Sequence, residues 1–228
     1  MVKLANGLVR IGREAFRQCG GLRGDLIIPD TVTFCSDGAL AHCRELNGRL
    51  TIGQGLTEIR DGLFSNCQFT GRIEIPSQVI KINKNAFNGC RGFTEIVIGT
   101  GVTDIDERGF YQAGKEGSCS VHFLINANNI NKEAFASSHI TLIQYDGTNP
   151  PVCAFDAFDK DNVIPSVPSG YTSKEFFVIF PTALFTSSDH FTSSDHFVSY
   201  NFTASNQFTS SKSFHFESSS PFTPFTPS

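Results

Sequence analysis

The chain has 228 residues, with 18 lysine and arginine residues, 22 aspartate and glutamate residues and a formal net charge of -4. No run of lysine or arginine occurs, so the chain lacks the electrostatic footprint of a nucleic-acid-binding protein. No stretch of about 18 or more apolar residues is present, which excludes a membrane-spanning helix in this sequence and predicts no membrane insertion by it.

One phrase recurs about every two dozen residues from Val2 to Phe135. Its copies are GLVRIGREAFRQC (7–19), the more diverged TVTFCSDGALAHC (31–43), GLTEIRDGLFSNC (55–67) and QVIKINKNAFNGC (78–90). An aromatic or leucine residue, here called the anchor, recurs at intervals of 23 to 25 residues, at Phe16, Leu40, Phe64, Phe87, Phe110 and Phe135. A unit this short cannot bury its own apolar face, so the copies must stack as about six coils of a solenoid.

The first coil begins at the start of the sequence, because Val2 and Leu4 align with Leu50 and Ile52 of a later coil. We therefore expect no signal peptide and no polar cap over this coil. Three interpretations remain: a truncated product, a fragment of a larger surface protein, or a first strand edge that is free for pairing.

Each coil then contains three predicted elements. The first is a strand with one buried face, because positions two and four are aliphatic in the runs 25–28, 49–52, 72–75 and 95–98, each followed by proline or glycine. The second is a short extended segment with an apolar pair three residues apart, such as Leu56 and Ile59. The third is the anchor segment, which is too short for a stable free helix and predicts a single helical or 3₁₀ turn.

The seven cysteines are at positions 19, 35, 43, 67, 90, 119 and 153. Four of them, Cys19, Cys43, Cys67 and Cys90, follow an anchor by three residues. The odd number and the absence of short-range pairs favour buried reduced thiols over disulfides, and the absence of a CxxC or HxxxH spacing argues against a metal site. The redox compartment stays undecided.

The combined pattern, as in GRIEIPSQVIKINKNAFNGC with its L/I-x-I-P, V-x-x-I and A-F-x-x-C elements, resembles the BspA-type (Treponema-pallidum-type) leucine-rich repeat. The resemblance covers residues 1 to about 177, where ITLIQYDGTNPPVCAFDAF and VPSGYTSKEFF look like the family's terminal capping segment. Departures from the pattern are Leu40, Leu63-Phe64, Cys35 and the insertion GKEGSC in the fifth coil.

The resemblance implies a right-handed leucine-rich repeat solenoid, mainly β, with short parallel strands and short helical turns. Proteins of this family occur on the surfaces of bacteria and anaerobic protozoan parasites and are associated with adhesion to host matrix, host cells or other microbes. They are not enzymes and have no cofactor. We therefore expect a surface-associated protein-binding module whose ligand is a host or extracellular matrix protein. The alternative is an intracellular interaction scaffold, which the missing signal peptide and the odd cysteine favour.

The outward strand positions form two columns on the predicted solenoid. The first is Asp25, Arg49, Arg72, Glu95, Ser120 and His139; the second is Ile27, Thr51, Glu74, Val97, His122 and Thr141. Ten of these residues form the candidate protein-binding face: Asp25, Ile27, Arg49, Thr51, Arg72, Glu74, Glu95, Val97, His122 and His139. The alternative is that they are solvated strand residues, with Asp25 beside Arg49 and Arg72 beside Glu95 as weak charge pairs.

No catalytic motif is present: the sequence lacks GxSxG, HExxH, a P-loop and a Rossmann glycine pattern. His122 and His139 fall in adjacent coils, where a metal would still lack enough ligands. We therefore predict no catalytic residue, no metal and no cofactor.

The composition changes after Leu184, where phenylalanine recurs about every six residues among serine, threonine and asparagine. Such a segment does not bury enough surface to fold alone, which predicts a disordered spacer. The predicted domains are the repeat solenoid at 1–145, its closing segment at 146–177 and the spacer at 178–228. In the resembled family such spacers precede a membrane anchor, so we expect a location at the cell surface or outside the cell, with the cytoplasm as the alternative.

Overall fold

The computed structural model describes residues 2–124, 129–147, 151–154, 156–159 and 164–166. The predicted spacer at 178–228 and part of the predicted closing segment lie outside these residues. In chain order, the strands of the described part are β1 (Val2–Lys3), β2 (Arg10–Ile11), β3 (Leu26–Ile28), β4 (Phe34–Cys35), β5 (Leu50–Ile52), β6 (Glu58–Ile59), β7 (Thr70–Ile75), β8 (Lys81–Ile82), β9 (Gly92–Ile98), β10 (Asp104–Ile105), β11 (Cys119–Phe123), β12 (Asn129–Ile130), β13 (Ile140–Tyr145), β14 (Val152–Cys153) and β15 (Ile164–Ser166).

The parallel β-solenoid of about six coils is confirmed. Odd-numbered strands stack along one side of the coil in the orders β1-β3-β5 and β7-β9-β11-β13-β15, and even-numbered strands stack along another side in the orders β2-β4 and β6-β8-β10-β12-β14. All the strand pairs are parallel. The predicted alternation is present, since Leu26 and Ile28 are buried on either side of the exposed Ile27.

The predicted helical or 3₁₀ turn at the anchor is wrong: no helix occurs in the described residues, and the anchor segment is a series of hydrogen-bonded turns. Two residues per coil have positive φ, such as Glu14 (φ 54) and Gln18 (φ 58) in the first coil, and a right-handed helix excludes that conformation. The N–H groups of Glu14, Phe16 and Gln18 donate to carbonyl oxygens of the next coil at 3.2, 2.8 and 2.8 Å. Backbone donors that a helix would use internally therefore join neighbouring coils.

No helix among the described residues is long and apolar enough to cross a membrane.

The core contains a column of stacked phenylalanine rings contributed by the anchors. Centroid separations are 5.3 Å for Phe64–Phe87, 4.8 Å for Phe87–Phe110, 5.1 Å for Phe110–Phe135 and 4.7 Å for Phe135–Phe158. The predicted repeat solenoid ends at residue 145, but Phe158, after that boundary, stacks on Phe135. The described residues beyond 145 therefore add to the same ring column. The rings provide contacts between coils that no single coil makes by itself.

A second column consists of the cysteines that follow the anchors. All seven cysteines are free thiols, and five of them are buried. The thiols of Cys43, Cys67 and Cys90 donate to the carbonyl oxygens of Phe16, Leu40 and Phe64 in the preceding coil, at 2.9, 3.2 and 3.1 Å. In a later coil Ser138 occupies the same position, and its hydroxyl donates to the carbonyl oxygen of Phe110 at 2.9 Å. The cysteines are therefore hydrogen-bond donors between coils as well as buried apolar groups.

This bond predicts the order of two substitutions at one site. Cys67→Ala leaves the buried Leu40 carbonyl without its donor, whereas Cys67→Ser keeps a donor of the kind that Ser138 provides. We expect the alanine variant to be less stable than the serine variant by about 1 kcal/mol. Urea unfolding of the two variants measures the difference, and an alanine variant at least as stable as the serine variant would contradict it.

Candidate protein-binding surfaces

The predicted face lies on the odd-numbered strands, and strand pairing aligns most of its residues across coils. Ile27 pairs with Thr51, Arg72 with Glu95, and Glu74 with Val97. The next strand, β11, places Ser120 beside Glu95 and His122 beside Val97. The hydrogen-bonded sheet is interrupted between β5 and β7, although the Thr70 N–H still donates to the Gly48 carbonyl oxygen at 2.9 Å.

The predicted register is wrong at the last coil of the face. A bulge between Cys119 and Ser120 shifts the pairing with β13, so Ser120 pairs with Leu142 and His122 with Gln144. His139 precedes β13, where its carbonyl oxygen accepts the Cys119 N–H at 2.9 Å. Thr141 is the extra residue at this bulge, and it accounts for one of the three residues by which the predicted pairing of Ser120 with His139 differs from the observed one. The columns therefore continue through Leu142 and Gln144, not through His139 and Thr141.

Val97 lies in the predicted column, but its predicted exposure is wrong, because its side chain is only 2% exposed. Its pairing partners on both sides, Glu74 and His122, have longer side chains. Neighbouring parallel strands are about 4.8 Å apart, so these longer groups flank the small valine closely. Val97 is therefore a buried residue and does not offer contact area to a partner.

Several charged residues of the face bind one another. Arg72 forms ion pairs with Glu74 at 2.9 Å and with Glu95 at 3.8 Å, and His122 lies 2.7 Å from a carboxylate oxygen of Asp146. Exposed pairs of this kind contribute about 0 to 1 kcal/mol each. In this part of the face, the charged side chains are therefore explained as solvated charge pairs and need no binding partner.

Three residues on β3 and at β5 differ from that pattern, and we call Ile27, Arg49 and Thr51 the β3–β5 patch. Ile27 is 39% exposed, and Arg49 and Thr51 are also exposed. The backbone N–H of Arg49 donates to Asp25 at 2.8 Å, but among the described residues the Arg49 guanidinium has no ion-pair partner. An exposed isoleucine beside an unpaired arginine is a combination that protein interfaces use.

The structure also contains a groove that sequence reasoning missed. It lies over the anchor turns of the first four coils, has a volume of about 290 Å³, and has Gly38, Ala41, Gly62 and Ser65 in its central two coils. We call it the turn groove. Its backbone is fixed, because Gly38 N–H donates to Asp61 O at 2.9 Å and Gly62 N–H donates to Lys84 O at 2.9 Å.

Small residues open the turn groove. The repeat position two residues before the anchor is glycine in the second and third coils, at Gly38 and Gly62. In the other coils the same position is Glu14, Asn85, Arg108 and Glu133. All six residues have φ between 54 and 61°, so the backbone at this position accepts residues other than glycine. The sequence signal is thus two consecutive coils with glycine where the other four coils have polar side chains.

Charges around the turn groove are only partly neutralised. Arg17 binds Glu14 at 2.5 Å and Arg60 binds Asp37 at 3.2 Å. Arg13 and Asp61 line the groove, and no ion pair or side-chain hydrogen bond joins either of them to another described residue. Within the described residues, the groove therefore has a positive charge without an ion-pair partner in the first coil and a negative charge without one in the third.

Comparison with protein families decides the classification of this fold. The model of the BspA type leucine rich repeat region matches residues 1–116 and 49–160 and accounts for six copies of the repeat. The chain belongs to the BspA-type leucine-rich repeat family. Comparison with curated proteins returns no match, and comparison with solved structures returns none either.

Leucine-rich repeats generally mediate protein–protein binding, and a BspA-type solenoid is typically a non-enzymatic scaffold. The predicted family and its function as a protein-interaction module are therefore confirmed at that level. Within the described residues, no group of three or more histidine, cysteine, aspartate or glutamate side chains is arranged to hold a metal ion.

Burial governs the chemistry of three thiols in this BspA-type solenoid. It raises the pKa of Cys35 and Cys90 to about 12, and burial together with the carboxylate of Glu95 raises the pKa of Cys119 to about 12. A thiol with such a pKa is protonated at neutral pH and is a poor nucleophile or metal ligand. These cysteines therefore contribute packing and hydrogen bonds rather than reactivity.

Proposed function

We propose that the chain is a non-enzymatic adhesion or recognition module that binds a host or extracellular matrix protein through the β3–β5 patch. The observation that carries this proposal is the exposed Ile27 on the same face as the Arg49 guanidinium, which has no ion-pair partner in the part of the chain that the structure describes. Family membership supports protein binding. We favour the β3–β5 patch over the part of the face around Arg72, because Arg72 already forms an ion pair with Glu74.

The patch supplies the chemistry that concentrates binding energy. Arginine is enriched among interface residues with large energetic effects, and its planar group makes several hydrogen bonds at once. Ile27 offers apolar area on β3, and Arg49 directly precedes β5, where its carbonyl oxygen accepts the Leu26 N–H at 2.9 Å. A partner with an apolar residue beside a carboxylate matches this surface.

A substitution at Ile27 tests the patch. We expect Ile27→Glu to weaken binding to a matrix protein by about tenfold or more, because a charge then replaces the apolar contact. Ile80→Glu is the matched control, since Ile80 is 53% exposed and adjoins an even-numbered strand. Biosensor binding of the full chain to purified extracellular matrix proteins measures both variants. The proposal fails if no matrix protein binds or if the two variants bind alike.

Display at the cell surface is the second part of the proposal, and family membership motivates it. Labelling of intact cells with a reagent that does not cross membranes should modify the chain. A chain that is labelled only after lysis would contradict surface display, while the patch test would still measure protein binding.

The intracellular scaffold is the alternative function, and the seven free thiols favour it. Disulfides persist in oxidising compartments and are rare where glutathione keeps thiols reduced. Quantitative thiol alkylation of unreduced, denatured protein from its native source separates the two functions. Seven reactive thiols would agree with the scaffold, and several disulfides would exclude it.

A further inference from the structure

We propose that the turn groove is a second binding site, which takes an extended peptide segment of a partner protein with one acidic and one basic side chain. The site lies on the anchor turns, whereas the β3–β5 patch lies on the odd-numbered strands. It is therefore separate from the surface of the proposed function, and its test does not depend on the patch.

The groove is suited to a chain segment rather than to a flat surface. Its centre lacks side chains beyond Cβ at Gly38, Ala41 and Gly62, while Arg17 and Asn85 line it in the coils on either side. Every second N–H of the anchor turns in these coils is bonded to the next coil, for example Leu40 to Leu63 O at 3.1 Å and Phe64 to Ala86 O at 2.9 Å. A site whose backbone is already fixed loses little conformational entropy when a ligand binds.

The charges define the ligand. Arg13 and Asp61 occupy the same position of the repeat, three residues before the anchor, and are two coils apart. Two coil spacings amount to about 10 Å. A peptide in the polyproline II conformation rises about 3.1 Å per residue and returns to the same face every three residues. An acidic and a basic residue three positions apart therefore lie about 9 Å apart on one face, which matches Arg13 and Asp61.

His42 adds a neutral hydrogen-bonding group to the groove. Partial burial and the guanidinium groups of Arg17 and Arg44 lower the pKa of His42 below its usual value of 6.5. The imidazole is therefore uncharged at pH 7 and does not compete with Arg13 for the acidic side chain. It can bind the polar backbone of an extended peptide, which has no internal hydrogen bonds in this conformation.

The experiment uses three fluorescent synthetic peptides that differ only in charge, with the cores Glu-Pro-Pro-Lys, Glu-Pro-Pro-Glu and Lys-Pro-Pro-Lys. Fluorescence anisotropy with the full chain should show that the Glu-Pro-Pro-Lys peptide binds about fivefold more tightly than either of the others, a preference set by exposed charges. Asp61→Lys should reverse the preference in favour of Glu-Pro-Pro-Glu, because both free charges are then positive.

A variant that fills the groove provides the second arm. Gly38→Asn with Gly62→Asn places at both positions the residue that Asn85 already provides at φ 56. The neighbouring atoms leave room, since an added Cβ would lie 3.5 Å from Glu14 at Gly38 and 4.0 Å from Ser65 at Gly62. We expect this variant to keep the circular dichroism spectrum of the wild type and to bind Glu-Pro-Pro-Lys at least tenfold more weakly.

Three results would overturn the proposal: no peptide binds the wild type, all three peptides bind it equally, or the groove-filled variant binds as tightly as the wild type.

Discussion

Phe87→Ala is expected to lower the free energy of unfolding by about 3 to 5 kcal/mol. Its ring is fully buried and stacks on Phe64 at 5.3 Å and on Phe110 at 4.8 Å, so the substitution removes contacts with both neighbouring coils. Neighbouring coils in a solenoid stabilise each other through their shared interfaces. Loss of this ring therefore weakens two interfaces at once.

Phe16→Ala is the matched control for this prediction. Phe16 is the anchor of the first coil and is only partly buried, so less apolar area returns to water when it is truncated. We expect its effect to be less than half that of Phe87→Ala. Chemical denaturation followed by circular dichroism measures both variants. Equal losses, or a Phe87 variant as stable as the wild type, would show that the ring column does not hold the coils together.

Gly101→Ala is expected to cost about 3 kcal/mol or more. A Cβ at this position would lie 1.9 Å from the carbonyl oxygen of Ser77 and 3.1 Å from that of Val79. Both atoms belong to the backbone of the preceding coil, so no side-chain rotation relieves the overlap. The corner at Gly101 must then move away from the preceding coil, which opens the stack.

Gly12→Ala separates this clash from the general effect of replacing glycine. Nothing lies within 4 Å of a Cβ at Gly12, and alanine reduces the entropy of the unfolded chain. We expect Gly12→Ala to change stability by less than about 1 kcal/mol. Thermal melts of the two variants provide the comparison, and similar melting temperatures would contradict the close packing of coils at Gly101.

The strands and their stacking order were predictable because the physical requirement is local. Buried positions such as Leu50 and Ile52 alternate with exposed ones, and the repeat length sets which residues pair between coils. The same reasoning placed the anchors in the core, where Phe64 and Phe87 are fully buried.

The turns, the bulge and the buried valine were not predictable in the same way. Positive φ at Glu14 accompanies hydrogen bonds to the next coil, and glutamate itself does not signal that conformation. The signal is in other coils, where Gly38, Gly62 and Asn85 occupy the same repeat position. The bulge at Cys119 depends on how β11 meets β13. The burial of Val97 depends on side chains from two other strands. Each of these features is set by contacts between coils rather than by sequence within one coil.

The two columns of the candidate face were predictable, but which of their side chains are available to bind a partner was not. Whether an outward arginine forms an ion pair depends on its neighbours: Arg72 pairs with Glu74, whereas Arg49 has no ion-pair partner among the residues that the structure describes. The turn groove required a comparison of the same repeat position in consecutive coils, where Gly38 and Gly62 stand together. Sequence periodicity thus predicts which positions form a surface, and contacts between coils determine which of those side chains are exposed and unpaired.

Photo-crosslinking from the β3–β5 patch in cells that produce the protein tests the central claim most directly. A photoreactive amino acid replaces Thr51 on the proposed binding face or, as the control, Thr57 beside the even-numbered strand β6; both positions are exposed. We predict that Thr51 gives a discrete crosslinked product with a second protein and that Thr57 does not. The absence of a product from Thr51, or the same product from both positions, would contradict protein binding through this face.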